Sequence, residues 1–366
     1  MSTIEKKALV LENPSLTFKS DIPSGSVVWQ SPSNIALVKY WGKKDTQIPC
    51  NPSVSFTLNT STTETKLQFE PNTEGRASIE FYLDNVRNEK FETKIISFLD
   101  ALVPYFPFIN QLKFKAYSSN TFPHSAGIAS SASGMSALAL CLCSIEKQYF
   151  NTLTIESEFY QKASYIARLG SGSACRSVYG GIVSWGEIAG MSESSNEYGT
   201  DLSEVVHPDF LTFKDSILIV DAAEKKVSSR IGHGLMNSNP FSVERFKQAN
   251  TNIASLLKAM KENDMETFMS ITESEALTLH AMMMTSMPYF LLMKPNTINL
   301  IEKIWDYRAQ TNHPICFTLD AGPNIHLLYP QRIENEINKF IESDLTKFLH
   351  DSCWLRDGVG SGPKTV

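Results

Sequence analysis

Apolar and polar residues alternate along three early stretches, SVVWQSPSNIALVKYW (26–41), SVSFTLNTSTTETKLQFE (53–70) and ASIEFYLDN (77–85). Period-two alternation predicts strands with one buried face. A helix is expected over 89–102, then a strand at QLKFKAYSS (111–119), then helices over 132–149 and 156–169. In the first of these, Met135, Leu138, Leu142 and Ile145 recur at three- and four-residue spacing and mark its buried face. GGIVSW closes the first half, and the apolar-poor stretch 189–201 reads as an exposed excursion. DSILIVDA (215–222) opens the second half with a buried strand. Helices over 242–262, 265–284 and 297–310 follow, and then the strand PICFTLDAG (314–322). The Met282, Met283, Met284 run is read as core filler. Strands and helices without strict βαβ repetition predict an α+β fold in two domains, 26–207 and 208–366. The polar lead 1–25 reads as a loosely held, flexible arm.

Composition narrows the function classes. The chain has 366 residues, 42% of them hydrophobic, enough for a large core and two domains. A formal net charge of -6 argues against a nucleic-acid binder that works by broad phosphate neutralisation. Any anionic ligand must therefore meet positive charge that is concentrated locally. Six cysteines sit mostly in apolar or small-residue segments, as reduced structural thiols do. Cys141 and Cys143 lie two apart on an expected helix, pointing to nearly opposite faces, which disfavours shared metal ligation. Charge and proline interrupt the apolar patch of the N-terminus, and no run of eighteen apolar residues occurs, so the chain reads as cytoplasmic and soluble.

The segment FPHSAGIASSASGMSA (122–137) runs a small-residue loop into a helix. Gly127 lets the backbone approach an anion, and Ser130 and Ser131 bring hydroxyl and amide donors to the helix start, whose dipole favours negative charge. An ordinary small-residue turn before a core helix is the bland alternative. GxxxxGK[ST] is absent, and the near miss at Gly170, Ser171 and Gly172 meets Cys175 where a dinucleotide fingerprint needs glycine. Three further cationic or hydroxyl-rich segments accompany this loop. NIALVKYWGKK (34–44) sets Lys39 and Lys43 around Tyr40, Trp41 and Gly42. RLGSGSACRSVYGG (168–181) offers Ser171, Ser173 and Arg176, a hydroxyl and guanidinium group suited to diphosphate. KKVSSR (225–230) repeats the idea with Ser228, Ser229 and Arg230. TLDAGPN (318–324) ends an apolar strand in one carboxylate, Asp320. Solvated lysines, a structural turn or a helix cap would explain any one of these, but not all together. GxSxG, HExxH and paired CxxC are absent, which sets aside a serine hydrolase and zinc chemistry.

In this order and at these separations, the segments NIALVKYWGKK, FPHSAGIASSASG, RLGSGSACRS, KKVSSR and TLDAGPN resemble the diphosphomevalonate decarboxylase branch of the galactokinase, homoserine kinase, mevalonate kinase and phosphomevalonate kinase superfamily. The resemblance covers nearly the whole chain from Ser26 onward. It implies a two-domain small-molecule-kinase-like α+β fold with the active site in the cleft between domains, the first of them binding nucleotide. It also implies ATP-dependent decarboxylation of mevalonate 5-diphosphate to isopentenyl diphosphate, phosphate, ADP and carbon dioxide, with Mg2+, by a homodimer.

By the same resemblance, Asp320 is the base near the tertiary hydroxyl, with Lys39 and Arg176 completing a charged cluster. Tyr40, Lys43, Ser171, Ser173, Ser229 and Arg230 hold the substrate, while Ser119, Asn120, Gly127, Ser130 and Ser131 hold the nucleotide phosphates. The chain departs from the family pattern at Pro52, His124, Ile231 and His233. Three alternatives stay open: a related decarboxylase of mevalonate 5-phosphate or a 3,5-bisphosphate, a mevalonate 3-kinase, and a non-catalytic regulator that binds a small ligand.

Overall fold

The computed structural model describes residues 11–123, 128, 130–222 and 229–366, without the side chains of Ser229 and Arg230. Expected site residue Gly127, the departure His124 and the motif residue Ser228 lie outside the described residues.

The first half builds one sheet from β1 (Gly25–Val38), β4 (Ser53–Pro71), β5 (Ser78–Leu83), β6 (Val86–Arg87), β7 (Leu112–Asn120), β8 (Ile182–Trp185) and β9 (Thr200–Asp201), with a small hairpin of β2 (Lys43–Lys44) and β3 (Ile48–Pro49) beside it. β4 is the spine: its first residues pair with β8, its second half with β7, and nearly all of it with β1. β5 joins β7 in parallel, and the other described pairings of this sheet are antiparallel. Helices α1 (Glu89–Leu102), α2 (Ser130–Phe150) and α3 (Glu156–Gly170) pack on this sheet and on one another around Leu67, Phe69, Phe114, Leu138, Leu142 and Ile166. α2 lies between the sheet and α3, so Leu140, Cys141 and Cys143 are as buried as the predicted face of Leu138, Leu142 and Ile145, while Met135 is only half-buried.

The second half is a four-stranded antiparallel sheet in the order β11 (Cys316–Thr318), β12 (Ile325–Tyr329), β10 (Lys214–Leu218), β13 (Trp354–Gly358). Its helices are α4 (Ser229–Leu235), α5 (Ser242–Glu262), α6 (Met265–Met284), α7 (Pro295–Thr311) and α8 (Glu334–Phe340). One apolar cluster crosses between the halves, joining Ile35, Leu37, Val54 and Phe56 of β1 and β4 to Phe213, Ile217, Ile253 and Phe268. The chain then returns. Asp357 on β13 accepts backbone N–H bonds from Asn59 and Ser61 of β4, both at 2.8 Å. Beyond it β14 (Lys364–Thr365) pairs with Trp29 and Gln30 of β1.

These elements follow the sequence pattern except where distant contacts decide. The lead expected to be loose is tied down in its described part. Leu16 is buried, Phe18 packs on Phe108, Tyr149 and Phe150, and its backbone N–H donates to Gln111 Oε1 at 2.8 Å. The glycine-rich turn of 168–181 is a 3-10 helix, Gly172–Val178, with a buried face. The excursion at 189–201 is anchored: Trp185 Nε1 donates to the Asn196 carbonyl, and Arg168 pairs with Glu197 at 2.7 Å. All six cysteines are free thiols. Among the described residues no helix is long and apolar enough to cross a membrane.

Candidate active site

Lys39 follows the last residue of β1, and Asp320 lies two residues beyond β11, so each strand delivers one charge to the same place. Lys39 Nζ stands 3.0 Å from Asp320 Oδ1. Burial pushes the lysine below its ordinary pKa, against the opposing pull of Asp320, and the Arg176 charge lowers it further. The lysine backbone is held just as firmly. Its N–H donates to Glu275 Oε2 at 2.9 Å, and its carbonyl accepts from Asn51 Nδ2 at 2.9 Å and Arg245 Nη2 at 3.3 Å. Glu275 and Arg245, on α6 and α5, are themselves a fully buried two-bond pair at 2.9 and 2.6 Å. On the other side, His280 of α6 places Nε2 3.1 Å from the Asp320 carbonyl. Burial lowers His280 to about 4, so at neutral pH the ring is uncharged and donates this bond from Nε2.

Arg176 reaches this centre from the 3-10 helix. It donates from Nε to Ser55 Oγ at 3.0 Å, from Nη1 to Ser53 Oγ at 2.6 Å, and from Nη2 to Asn34 Oδ1 at 3.2 Å. These acceptors are neutral, and no ion pair among the described residues includes Arg176. Burial lowers its pKa, while Asp320 is close enough to raise it. A guanidinium 2% exposed and without a carboxylate costs free energy unless an anion arrives to meet it. Ser53 and Ser55 share one face of β4, and Asn34 projects where the β1–β4 register shifts between Pro32 and Asn34.

The other expected substrate holders lie on three segments. Tyr40 is half-buried, its hydroxyl lacks a partner among the described residues, and burial pushes its pKa up. Lys43 Nζ donates to Gln47 Oε1 at 2.9 Å within the β2–β3 hairpin. Ser171 caps the end of α3, and Ser173 gives its carbonyl to Asn34 Nδ2 at 3.2 Å. Ser229 and Arg230 are the first two residues of α4.

The expected nucleotide holders lie at the end of β7 and the start of α2. Ser119 is exposed on β7 next to Asn120, whose Oδ1 accepts from Thr63 Oγ1 at 2.7 Å; that hydroxyl is also 2.6 Å from Ser133 Oγ on α2. One turn along α2, Ser136 Oγ lies 2.7 Å from Ser31 Oγ, which is 3.1 Å from the Ser177 carbonyl. Ser177 Oγ in turn accepts from Asn34 Nδ2 at 2.8 Å. Hydroxyls and one amide thus connect the start of α2 to the cradle of Arg176.

The first turn of α2 carries Ser130 and Ser131, no acidic residue, and backbone amides that have no partner within the helix. That donor set fits a phosphate chain. Among the described residues no group of three His, Cys, Asp or Glu side chains is placed to hold a metal.

Sequence motifs brought out Lys39, Arg176 and Asp320. Asn34, Ser53, Ser55, Glu275, Arg245 and His280 were missed, and His233 was noted only as a departure from the family pattern. For the serines the alternation of β4 marks only a polar face; for the others no local signal exists.

Residues 31–196 match the diphosphomevalonate decarboxylase-like N-terminal domain family, and residues 216–356 the mevalonate 5-diphosphate decarboxylase C-terminal domain family. Diphosphomevalonate decarboxylase of Saccharomyces cerevisiae is 30% identical over 330 residues, spanning 85% of this chain and 79% of its own length. The Homo sapiens enzyme of that name is 28% identical over 329 residues, spanning 83% and 77%. The solved structure of MDDEF in complex with MVAPP, AMPPCP and magnesium aligns with a TM-score of 0.80 at 26% identity, over 94% of this chain and 99% of that one. Mevalonate diphosphate decarboxylase from Staphylococcus aureus aligns with a TM-score of 0.79 at 26% identity, over 94% and 98%.

Proposed function

The chain belongs to the diphosphomevalonate decarboxylase family, and we propose that Lys39, Asp320 and Arg176 form its reaction centre. The protein is an ATP-dependent carboxy-lyase that decarboxylates mevalonate 5-diphosphate, with ATP and Mg2+, in the mevalonate pathway. The observation that carries the site assignment is Arg176, a buried cation with only neutral partners among the described residues, beside an ion pair whose carboxylate side chain is 29% exposed.

Within that centre Asp320 accepts the proton of the substrate's tertiary 3-hydroxyl, and Lys39 holds the carboxylate in place. Bound ATP supplies the phosphoryl group that turns this hydroxyl into a leaving group. Arg176 then faces the anionic groups of the substrate, where charge-assisted bonds from a fixed fork orient the carboxylate for loss as carbon dioxide. Tyr40, Lys43, Ser171, Ser173, Ser229 and Arg230 hold the substrate's diphosphate and carboxylate. Ser119, Asn120, Ser130 and Ser131 with the first amides of α2, together with Gly127, hold the nucleotide phosphates. The division into domains 26–207 and 208–366 puts Lys39 and Arg176 on one side of the cleft and Asp320 on the other. A cytoplasmic location and a homodimer belong to the same reading and rest on the family resemblance.

The test supplies ATP and Mg2+ with mevalonate, its 5-phosphate, its 5-diphosphate and its 3,5-bisphosphate in turn, measuring ADP and carbon dioxide separately. Both products are expected from the 5-diphosphate, in equal amounts. ADP without carbon dioxide would instead mark a 3-kinase.

A further inference from the structure

We infer that His233 is a positioning residue that docks the start of α4 onto the turn 39–43, so that the two segments meet the substrate's anionic groups as one surface. The inference rests on the reading above that both segments hold mevalonate 5-diphosphate.

His233 is buried, and its Nδ1 accepts the backbone N–H of Gly42 at 3.0 Å. Gly42 has φ of +96°, a conformation that residues with side chains rarely adopt, and its amide lies between Trp41 and Lys43. The His233 bond therefore sets the direction of the turn that carries Lys43. The imidazole is also flanked by aromatic rings, with centroids 4.2 Å from Tyr40 and 4.7 Å from Trp41. Tyr40 continues to Trp185 at 4.6 Å, and Trp185 lies 6.0 Å from the Arg176 guanidinium. One run of packed rings thus reaches from α4 past the Lys39 turn to Arg176.

A neighbouring residue makes the same docking from the backbone. A Cβ on Gly232 would fall 2.5 Å from the Trp41 ring, so α4 lies directly against the indole. The proton inventory excludes a general base. Nδ1 is occupied as an acceptor, and burial and the nearby Lys43 hold the ring down to about 3, leaving it neutral at working pH. A neutral, hydrogen-bonded imidazole wedged between two substrate-holding segments can position but does not exchange protons.

Three variants test this: His233→Phe keeps a ring and removes the acceptor, His233→Asn keeps an acceptor near the Nδ1 position, and Gly232→Ala pushes α4 from Trp41. Calorimetric Kd for mevalonate 5-diphosphate, KM for ATP at saturating mevalonate 5-diphosphate, and Tm are measured on each. Leaving the Gly42 amide buried without a partner should weaken mevalonate 5-diphosphate binding about tenfold in His233→Phe. ATP KM should stay within about twofold and His233→Asn within about threefold of wild type, on the same reasoning. Should His233→Phe fail to fold, Gly232→Ala is expected to show the same selective loss. Wild-type Kd in the first and third variants, or equal weakening toward both substrates with no rescue by asparagine, overturns the inference. Arg230→Ala separates the two levels: an unchanged Kd there removes 229–230 from the substrate site and takes the underlying reading with it.

Discussion

Lys39 and Asp320 share one hydrogen bond of 3.0 Å but not one environment: the lysine side chain is 2% exposed and the aspartate 29%. The desolvated partner is the cation, whose pKa is lowered chiefly by burial and defended chiefly by Asp320. That partial exposure gives the carboxylate the access that an acceptor for an incoming hydroxyl proton requires.

Asp320→Asn keeps the shape and removes both charge and proton acceptor. The overall rate should fall by at least about two powers of ten, with ADP and carbon dioxide declining together. Substrate affinity should hold or tighten, since a carboxylate beside a polyanion is repulsive in the ground state. Rapid-quench measurement of both products checks this, and wild-type ADP formation without carbon dioxide would move Asp320 to the elimination step.

Arg176→Ala leaves Asn34, Ser53 and Ser55 facing an empty space at the proposed substrate site. Each lost charge-assisted bond is worth about 1.5–3 kcal/mol, so kcat/KM for mevalonate 5-diphosphate should drop at least about tenfold. Arg176→Lys should recover little, because an ammonium cannot span the acceptors that the planar fork bonds at Ser53, Ser55 and Asn34. Steady-state kinetics equal to wild type in either variant would place the guanidinium outside the site.

Ser131→Ala touches an exposed hydroxyl in the first turn of α2 and should spare the helix. KM for ATP should rise, or phosphoryl transfer slow, while Kd for mevalonate 5-diphosphate stays at the wild-type value. The reverse selectivity would exchange the two anion sites.

Glu275→Gln tests the support beneath Lys39. It leaves Arg245, fully buried, without its carboxylate, a change that costs about 3–5 kcal/mol in comparable buried pairs. Urea unfolding should show that loss, and stability within about 1 kcal/mol of wild type would mean that the pair contributes little.

Stability should also depend on acid through His280. Its folded pKa, about 4, lies below the unfolded value near 6.5. The unfolded chain therefore binds the proton first: the contribution is complete above pH 6.5 and is lost as pH falls toward 4. At pH 5 the loss is about 2 kcal/mol. His280→Gln should lose correspondingly less between pH 7.5 and 5.0 in urea titrations, and parallel curves for the two proteins would refute the assignment.

How far these features were legible depended on whether their partners were local. Motifs announced Lys39, Arg176 and Asp320 because small residues, cations and a lone carboxylate stood together in short segments. The bounds of helices α5 and α6 were legible in the sequence. Phe18 was misjudged because the rings it meets, at 108, 149 and 150, lie far along the chain. Likewise Glu275 and His280 look like ordinary helix residues until β1 and the Asp320 turn close over them. β12 and β13 went unread because the chain beyond PICFTLDAG offers only brief apolar runs, and their strand character comes from pairing with β10.

The return of β14 to β1 ties completion of the first sheet to residues synthesised long after the rest of it. A nascent chain that has emerged only through β9 already contains Lys39 and Arg176, yet the edge of β1 still awaits Lys364 and Thr365, and the Asn59 and Ser61 amides await Asp357. Asp320, which answers Lys39 across 281 positions, also comes late. Such long-range closure favours slow folding. Until it happens, the first half presents an open strand edge and an unmatched cluster of cations, the kind of surface that chaperones shield.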